Sequence, residues 1–416
     1  MRKQSIGAKL KMPLYSFGEL SVWLLVFLHF LPITEVFPGI VRSICFGAVF
    51  VMSFLGFCVY QNHSIVVTRM CLTANIAVFI IVAYLGMWRI RDLTAGIGSV
   101  SRMLFLIQFW LYFFSSSPIE ELDLQRKQRL LHALLLVITI TAVTTTIGNI
   151  VFDQPSRLLA GLASKEQRRI FNGYNIGGYS FGYSLAVLIP YLMYLIENKY
   201  KRTLCILLLI ISIACIIITE YTICIIATAF GLSLYFILKS KHKILLIICA
   251  IICFIFLSDT LLIVDILSSI SRFLTYHHYS TLADRVGLIR EIVLGNVYKN
   301  DSLVRDVLYR RSEEIFINSP IIGCLVHPVQ VGGHSEVRDI LAGTGLFGFI
   351  LFVTPLFYTI RRVKLRVMDR KLLYAFYSSA SALCFISYYN TLFAGPAMGM
   401  MFFVMPFLLI RQQTKS

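Results

Sequence analysis

The chain has 416 residues, 58% of them hydrophobic and only 14% charged, with a formal net charge of +17. A water-soluble core cannot hide that much apolar surface, so a soluble globular enzyme is excluded. The positive charge does not point to nucleic acid either. It falls in short clusters between apolar runs: Arg2/Lys3/Lys9/Lys11, Arg126/Lys127/Arg129, Lys199/Lys201/Arg202, Lys239/Lys241/Lys243 and Arg361/Arg362/Lys364/Arg366. That is the positive-inside pattern of a polytopic membrane protein.

Taken in chain order, the apolar runs predict twelve transmembrane helices: 13–36, 40–60, 70–88, 99–117, 130–152, 175–196, 203–219, 221–238, 244–258, 340–360, 373–391 and 395–410. Runs approaching about 18 residues read as spans. The first follows a basic start, as in a signal peptide, but Leu14 to Phe37 is too long for a signal core and no small-x-small cleavage motif follows. It reads as a span. Twelve spans put both termini on one side, and the bias of Lys and Arg among the short loops makes that side cytoplasmic. The expected location is a bacterial inner membrane.

This divides the chain into residues 1–258, with nine spans and a smaller periplasmic loop at 153–174; a large periplasmic loop at 259–339; and residues 340–416, with three spans and a cytoplasmic tail. A loop of about 80 residues is more than a helical bundle needs, and such loops are usually functional or disordered. This one has helical periodicity. Leu303, Val304, Val307 and Leu308, then Ile315 and Phe316, predict a helix with Asp301 or Ser302 as N-cap and Pro320 as stop. A second helix is predicted over 281–294, after Ser280.

Of ten cysteines, nine fall in apolar segments and only Cys324 in a loop, with no CxxC pair, so they read as small buried hydrophobes. Glu19, Asn75, Gln108 and Asn149 are polar groups in or near spans. They either face a groove or, for Glu19 and Asn149, sit at helix ends. Gly343, Gly345 and Gly348 suit close helix packing in the tenth span.

Three loop stretches carry possible chemistry. They are Arg168-Arg169-Ile-Phe-Asn172-Gly173-Tyr174-Asn175; Arg305 through Tyr309-Arg310-Arg311 to Phe316, Asn318, Pro320 and Gly323; and Gly332-Gly333-His334-Ser335-Glu336-Val-Arg338-Asp339 running to Gly343, Gly345 and Gly348. Together they resemble the O-antigen polymerase/ligase superfamily, whose Wzy-type members polymerise O-antigen or capsule repeat units. The resemblance covers residues 150–350 in motif and the whole chain in span layout. The Val-Gly-Leu-Ile segment after Arg285 departs from the aromatic-rich pattern of the family.

The resemblance implies a GT-C-like membrane glycosyltransferase. Its partners would be an undecaprenyl-pyrophosphate-linked glycan donor, a lipid-linked acceptor, membrane lipid and a chain-length regulator protein, with no nucleic acid, cofactor or required metal. The alternatives are the ligase that attaches O-antigen to lipid A-core, and a lipid-linked oligosaccharide flippase. A flippase should show ionisable residues at mid-span and related halves, and neither is evident.

The residue types suit that reaction. Arginine binds pyrophosphate oxygens bidentately and stays protonated. Arg169 and Arg305 are the first candidates, with Arg285, Arg311 and Arg338 in reserve and Asn175 as a further substrate contact. His334 precedes a predicted helix start, where the positive helix end and Arg338 both disfavour the imidazolium. It then accepts the acceptor hydroxyl's proton, or the same helix start donates N–H groups to phosphate. Glu336 and Asp339 are bases or orienting groups.

Plainer readings stand beside these. His334 is also consistent with an ordinary loop histidine. Arg310 and Arg311 suit helix-surface ion pairs with Glu313 and Glu314. Arg168 suits a loop anchor at the headgroup level. Adjacent His277 and His278 point apart on a helix and lack a third ligand, so no metal site is expected. Phe273, Tyr276 and Tyr279 suit interfacial aromatics or a sugar-stacking surface.

Overall fold

The computed structural model describes residues 18–59, 113–116, 119–120, 122–159, 163–242, 260–277, 279–293, 302–324, 329, 331–390 and 397–410. The spans expected at 70–88 and 244–258, most of 99–117, and Asn75, Gln108, His278 and Asp301 lie outside the described residues. Among those described, every regular element is helical. In chain order they are α1 (Gly18–Phe30), a 3₁₀ turn (Pro32–Val36), α2 (Gly39–Val59), α3 (Leu124–Val151), α4 (Pro155–Leu159), α5 (Lys165–Gly173), α6 (Tyr179–Glu197), α7 (Arg202–Ile218), α8 (Thr222–Lys239), α9 (Thr260–Tyr276), α10 (Ser280–Val293), α11 (Ser302–Asn318), α12 (Glu336–Arg366), α13 (Arg370–Tyr389) and a π segment (Ala397–Val404) running into α14 (Met405–Leu409).

Local sequence sets many of the boundaries. Asp123, Ser335 and Asp369 each accept a backbone N–H from the first turn of α3, α12 and α13. Ser164 and Gln167 form a reciprocal capping box on α5. The two helices expected in the large loop are α10 and α11, and α11 ends two residues before Pro320.

α3, α6 and α8 are long and apolar enough to cross a bilayer, and the two arms of α12 together form a fourth candidate, bent by 54°. The backbone kink inside α12 falls at Gly345, and Pro355, which lacks an N–H for the carbonyl four residues earlier, removes one further helical hydrogen bond. α6 is the centre of the bundle. It is buried from Phe181 to Leu192, as a helix apolar all round should be, and packs against α7, α8, α13 and the π segment. α7 shows the opposite character, with Leu207, Ile210, Ile213 and Ile217 exposed along one side. Such a face is unfavourable in water and ordinary in lipid.

α6 is antiparallel to α13. Glu197, at the end of α6, accepts from Lys239 Nζ at 2.6 Å and lies 3.7 Å from Lys371 at the start of α13. The same end holds a buried ion cluster. Glu120 pairs with Arg362 and Arg366, Arg362 also donates to Ser116, and Lys127 Nζ donates to the Glu120 carbonyl. The described basic clusters at 126–129, 199–202, 239–241 and 361–366 therefore share one end of the bundle, and the starts of α6 and α12 and the end of α13 lie at the other. Glu19 and Asn149 take helix-end roles: Glu19 pairs with Arg126, and Asn149 donates to Ser156 Oγ.

Gly345 does more than permit close helix packing. It breaks the helix inside α12, with φ 65° and ψ −169°, a conformation open only to glycine. The two N–H groups released just after it donate to the carbonyls of Pro320 and Ile321, at 2.8 and 3.1 Å. A Cβ at Gly345 would lie 2.3 Å from the Ile321 carbonyl, whereas one at Gly343 would meet nothing within 4 Å. The turn after α11 is thus docked into the break in α12.

Candidate functional site

The end of the bundle away from the basic clusters gathers the third loop motif. Gly332 lets its loop press against α11, because a Cβ there would lie 2.0 Å from the Leu308 carbonyl oxygen. Its N–H donates to Ser312 Oγ at 2.9 Å, and the Ser312 hydroxyl in turn donates a hydrogen bond to Asp339 Oδ1 at 2.7 Å. Gly333 N–H donates to the same carboxylate oxygen at 3.0 Å, and Ser335 N–H donates to Oδ2 at 3.3 Å. Asp339 therefore holds both chain neighbours of His334. The imidazole stands half-buried on a turn fixed from either side.

Ser335 caps α12 and also donates from Oγ to the Tyr388 carbonyl at 2.7 Å. Glu336 N–H donates to the Asn390 carbonyl at 3.2 Å, and Arg338 N–H donates to Ser335 Oγ. These first-turn donors are satisfied inside the protein, which leaves fewer for an incoming phosphate.

Arg338 is gripped. Its guanidinium lies 4.3 Å from the Tyr309 ring centre and 4.7 Å from that of Tyr388. It donates to the Tyr388 hydroxyl at 3.0 Å and pairs with Glu313 at 3.3 Å. Arg338 is a brace between α11, α12 and α13. Glu313, expected with Glu314 to pair along α11 with Arg310 and Arg311, instead crosses to Arg338 on α12.

The remaining candidates are placed as follows. Arg305 lies on α11 one turn before Tyr309, and Arg285 lies on α10; both side chains are outside the described residues. Arg311 is half-buried beside Ser312. Glu336 and Asp339 are buried, at 7% and 6% exposed. Arg169 is exposed on α5, which packs on the Pro32–Val36 turn and α4. Arg168 Nε donates to the Ala163 carbonyl and anchors its loop. Asn175, at φ 58°, is buried; its amide donates to Thr141 and Thr144, and its Oδ1 accepts from Ile33 N–H. It fastens the entry of α6 to α3 and to the Pro32–Val36 turn. His277 is exposed with its ring 4.5 Å from Phe273. Among the described residues no group of three or more His, Cys, Asp or Glu is placed to hold a metal.

Sequence reasoning did not single out Ser312, Tyr388 or Asn390. Tyr388 and Asn390 belong to an ordinary apolar helix end, and only tertiary packing brings them to the Ser335 turn. Comparison with known protein families finds none that matches this chain, and comparison with curated proteins finds no match.

Proposed function

We propose that the protein is a membrane glycosyltransferase of the O-antigen or capsule polymerase kind. It moves a glycan from an undecaprenyl-pyrophosphate donor to a sugar hydroxyl of a second lipid-linked repeat unit at the periplasmic face. The proposed topology is twelve spans with both termini cytoplasmic, so that the end carrying His334 faces the periplasm.

The observation that carries this reading is the Asp339 clasp. A carboxylate that bonds the backbone on both sides of one histidine fixes the turn that carries its imidazole, and an imidazole presented on a fixed turn suits a general base. In the reaction the anomeric carbon breaks its bond to the pyrophosphate oxygen and forms one to the acceptor oxygen. His334 takes the acceptor's proton, and the lipid pyrophosphate leaves with the bonding pair. Arg305 and Arg169 receive that growing negative charge, with Arg311 and Arg285 in support. Such positive groups are worth several kcal/mol in a dry site. Arg338, Glu336 and Asp339 position the turn.

The test is the glycan ladder of a strain lacking the gene. Single-repeat glycan on lipid A-core supports the polymerase. Unattached long polymer would instead identify a ligase, and lipid intermediate trapped in the cytoplasm would identify a flippase.

A further inference from the structure

We propose that the hairpin of α9 and α10 lies flat on the bilayer surface, with Ile266, Ile270 and Phe273 set into the boundary between headgroups and acyl chains. α9 has three distinct sides. Val264, Leu267, Ser271 and Leu274 recur every three or four residues and are partly covered; Ser271 Oγ donates to the Ala283 carbonyl of α10. Asp265, Ser269 and Arg272 form an exposed polar side. Between them runs the third side, with Ile266, Ile270 and Phe273 exposed by 40%, 42% and 60%. That spacing of four and three residues is one continuous stripe on a helix.

The two helices pack on each other, and among the described residues neither packs extensively on any other helix. Something else must cover the stripe. The bilayer is the apolar phase already at hand, because this chain carries helices long and apolar enough to cross one. α9 has Asp265 and Arg272 within 17 residues, which suits lying in the interface and not spanning it. An aromatic residue in the stripe and Tyr276 at the helix end match the belt that such rings form at headgroup level. Arg272, on the neighbouring side, is then level with lipid phosphates. None of this depends on the chemistry at His334.

One cysteine added at a time at 265, 266, 269, 270, 272 or 273 of the full chain, in phosphatidylethanolamine–phosphatidylglycerol nanodiscs and read peptide by peptide against the ten native cysteines, tests it. A charged maleimide should modify Asp265→Cys, Ser269→Cys and Arg272→Cys about tenfold faster than the stripe positions, as for an interfacial helix. A lipid-soluble carbene probe should mark Ile266→Cys, Ile270→Cys and Phe273→Cys peptides preferentially. Equal maleimide rates on both sides would show the stripe in water. Protection of the stripe from both reagents would show protein cover. Either result overturns the proposal.

Discussion

The Asp339 carboxylate and the Ser312 hydroxyl meet at 2.7 Å, and this contact fastens α11 to the start of α12. Both residues are buried, and the same carboxylate holds the backbone on either side of His334. Asp339→Asn should therefore cost about 2 kcal/mol, the range for a buried hydrogen bond to a charged group. Because Ser312 reaches the loop through the same atom, a double-mutant cycle with Ser312→Ala should show coupling of about 1 kcal/mol. Thermal unfolding in detergent measures both, and additive losses would mean that the pair is not one unit.

His334 differs from Asp339 in what its loss should do. His334→Ala should leave the melting temperature unchanged and lower the polymerisation rate by about 10²–10⁴-fold, the usual contribution of a general base. Arg305→Ala should behave in the same way. Normal long-chain ladders from both variants, at wild-type protein levels, would remove these residues from the site.

Gly345 and Gly343 stand two residues apart and should respond differently. Gly345→Ala puts a Cβ against the Ile321 carbonyl at a conformation reserved for glycine, a strain of about 1–3 kcal/mol before any steric clash. The yield of folded protein should fall. Gly343→Ala enters open space and should be neutral or stabilising by about 0.5–1 kcal/mol. Size-exclusion profiles and melting curves separate the two.

At the opposite end, Glu120 and Arg362 are each 8% exposed by side chain. Glu120→Gln leaves Arg362 and Arg366 without their carboxylate and should cost about 3–5 kcal/mol, as for one partner lost from a buried pair. Replacing both, as Glu120→Gln with Arg362→Met, should recover part of that loss. A double variant less stable than Glu120→Gln alone would show that Arg362 matters through Ser116 and its packing over Phe407.

Much of the large loop was legible in the sequence. Periodicity marked α10 and α11, and Pro320 marked the stop of α11. Partnerships across helices were not legible. Local spacing pairs Arg310 and Arg311 with Glu313 and Glu314, since neighbours one helical turn apart are all that spacing can see, but the folded chain gives Glu313 to Arg338. The glycines of the tenth span suggested tight helix packing, yet Gly345 opens the backbone so that the 320–321 carbonyls can bond to it. Asn175 is marked in the sequence only through the resemblance of its arginine-plus-asparagine segment to a family motif, whereas its left-handed backbone and its bonds to two threonines one turn apart on α3 become apparent only in three dimensions.

The most direct measurement is elongation by the purified protein of a synthetic undecaprenyl-pyrophosphate-linked repeat unit, followed by mass spectrometry of the lipid-linked glycans with a chelator present. Products of two and more repeats, lost in His334→Ala and retained in Gly343→Ala, are expected. Well-folded protein that forms no product longer than a single repeat would contradict the assignment.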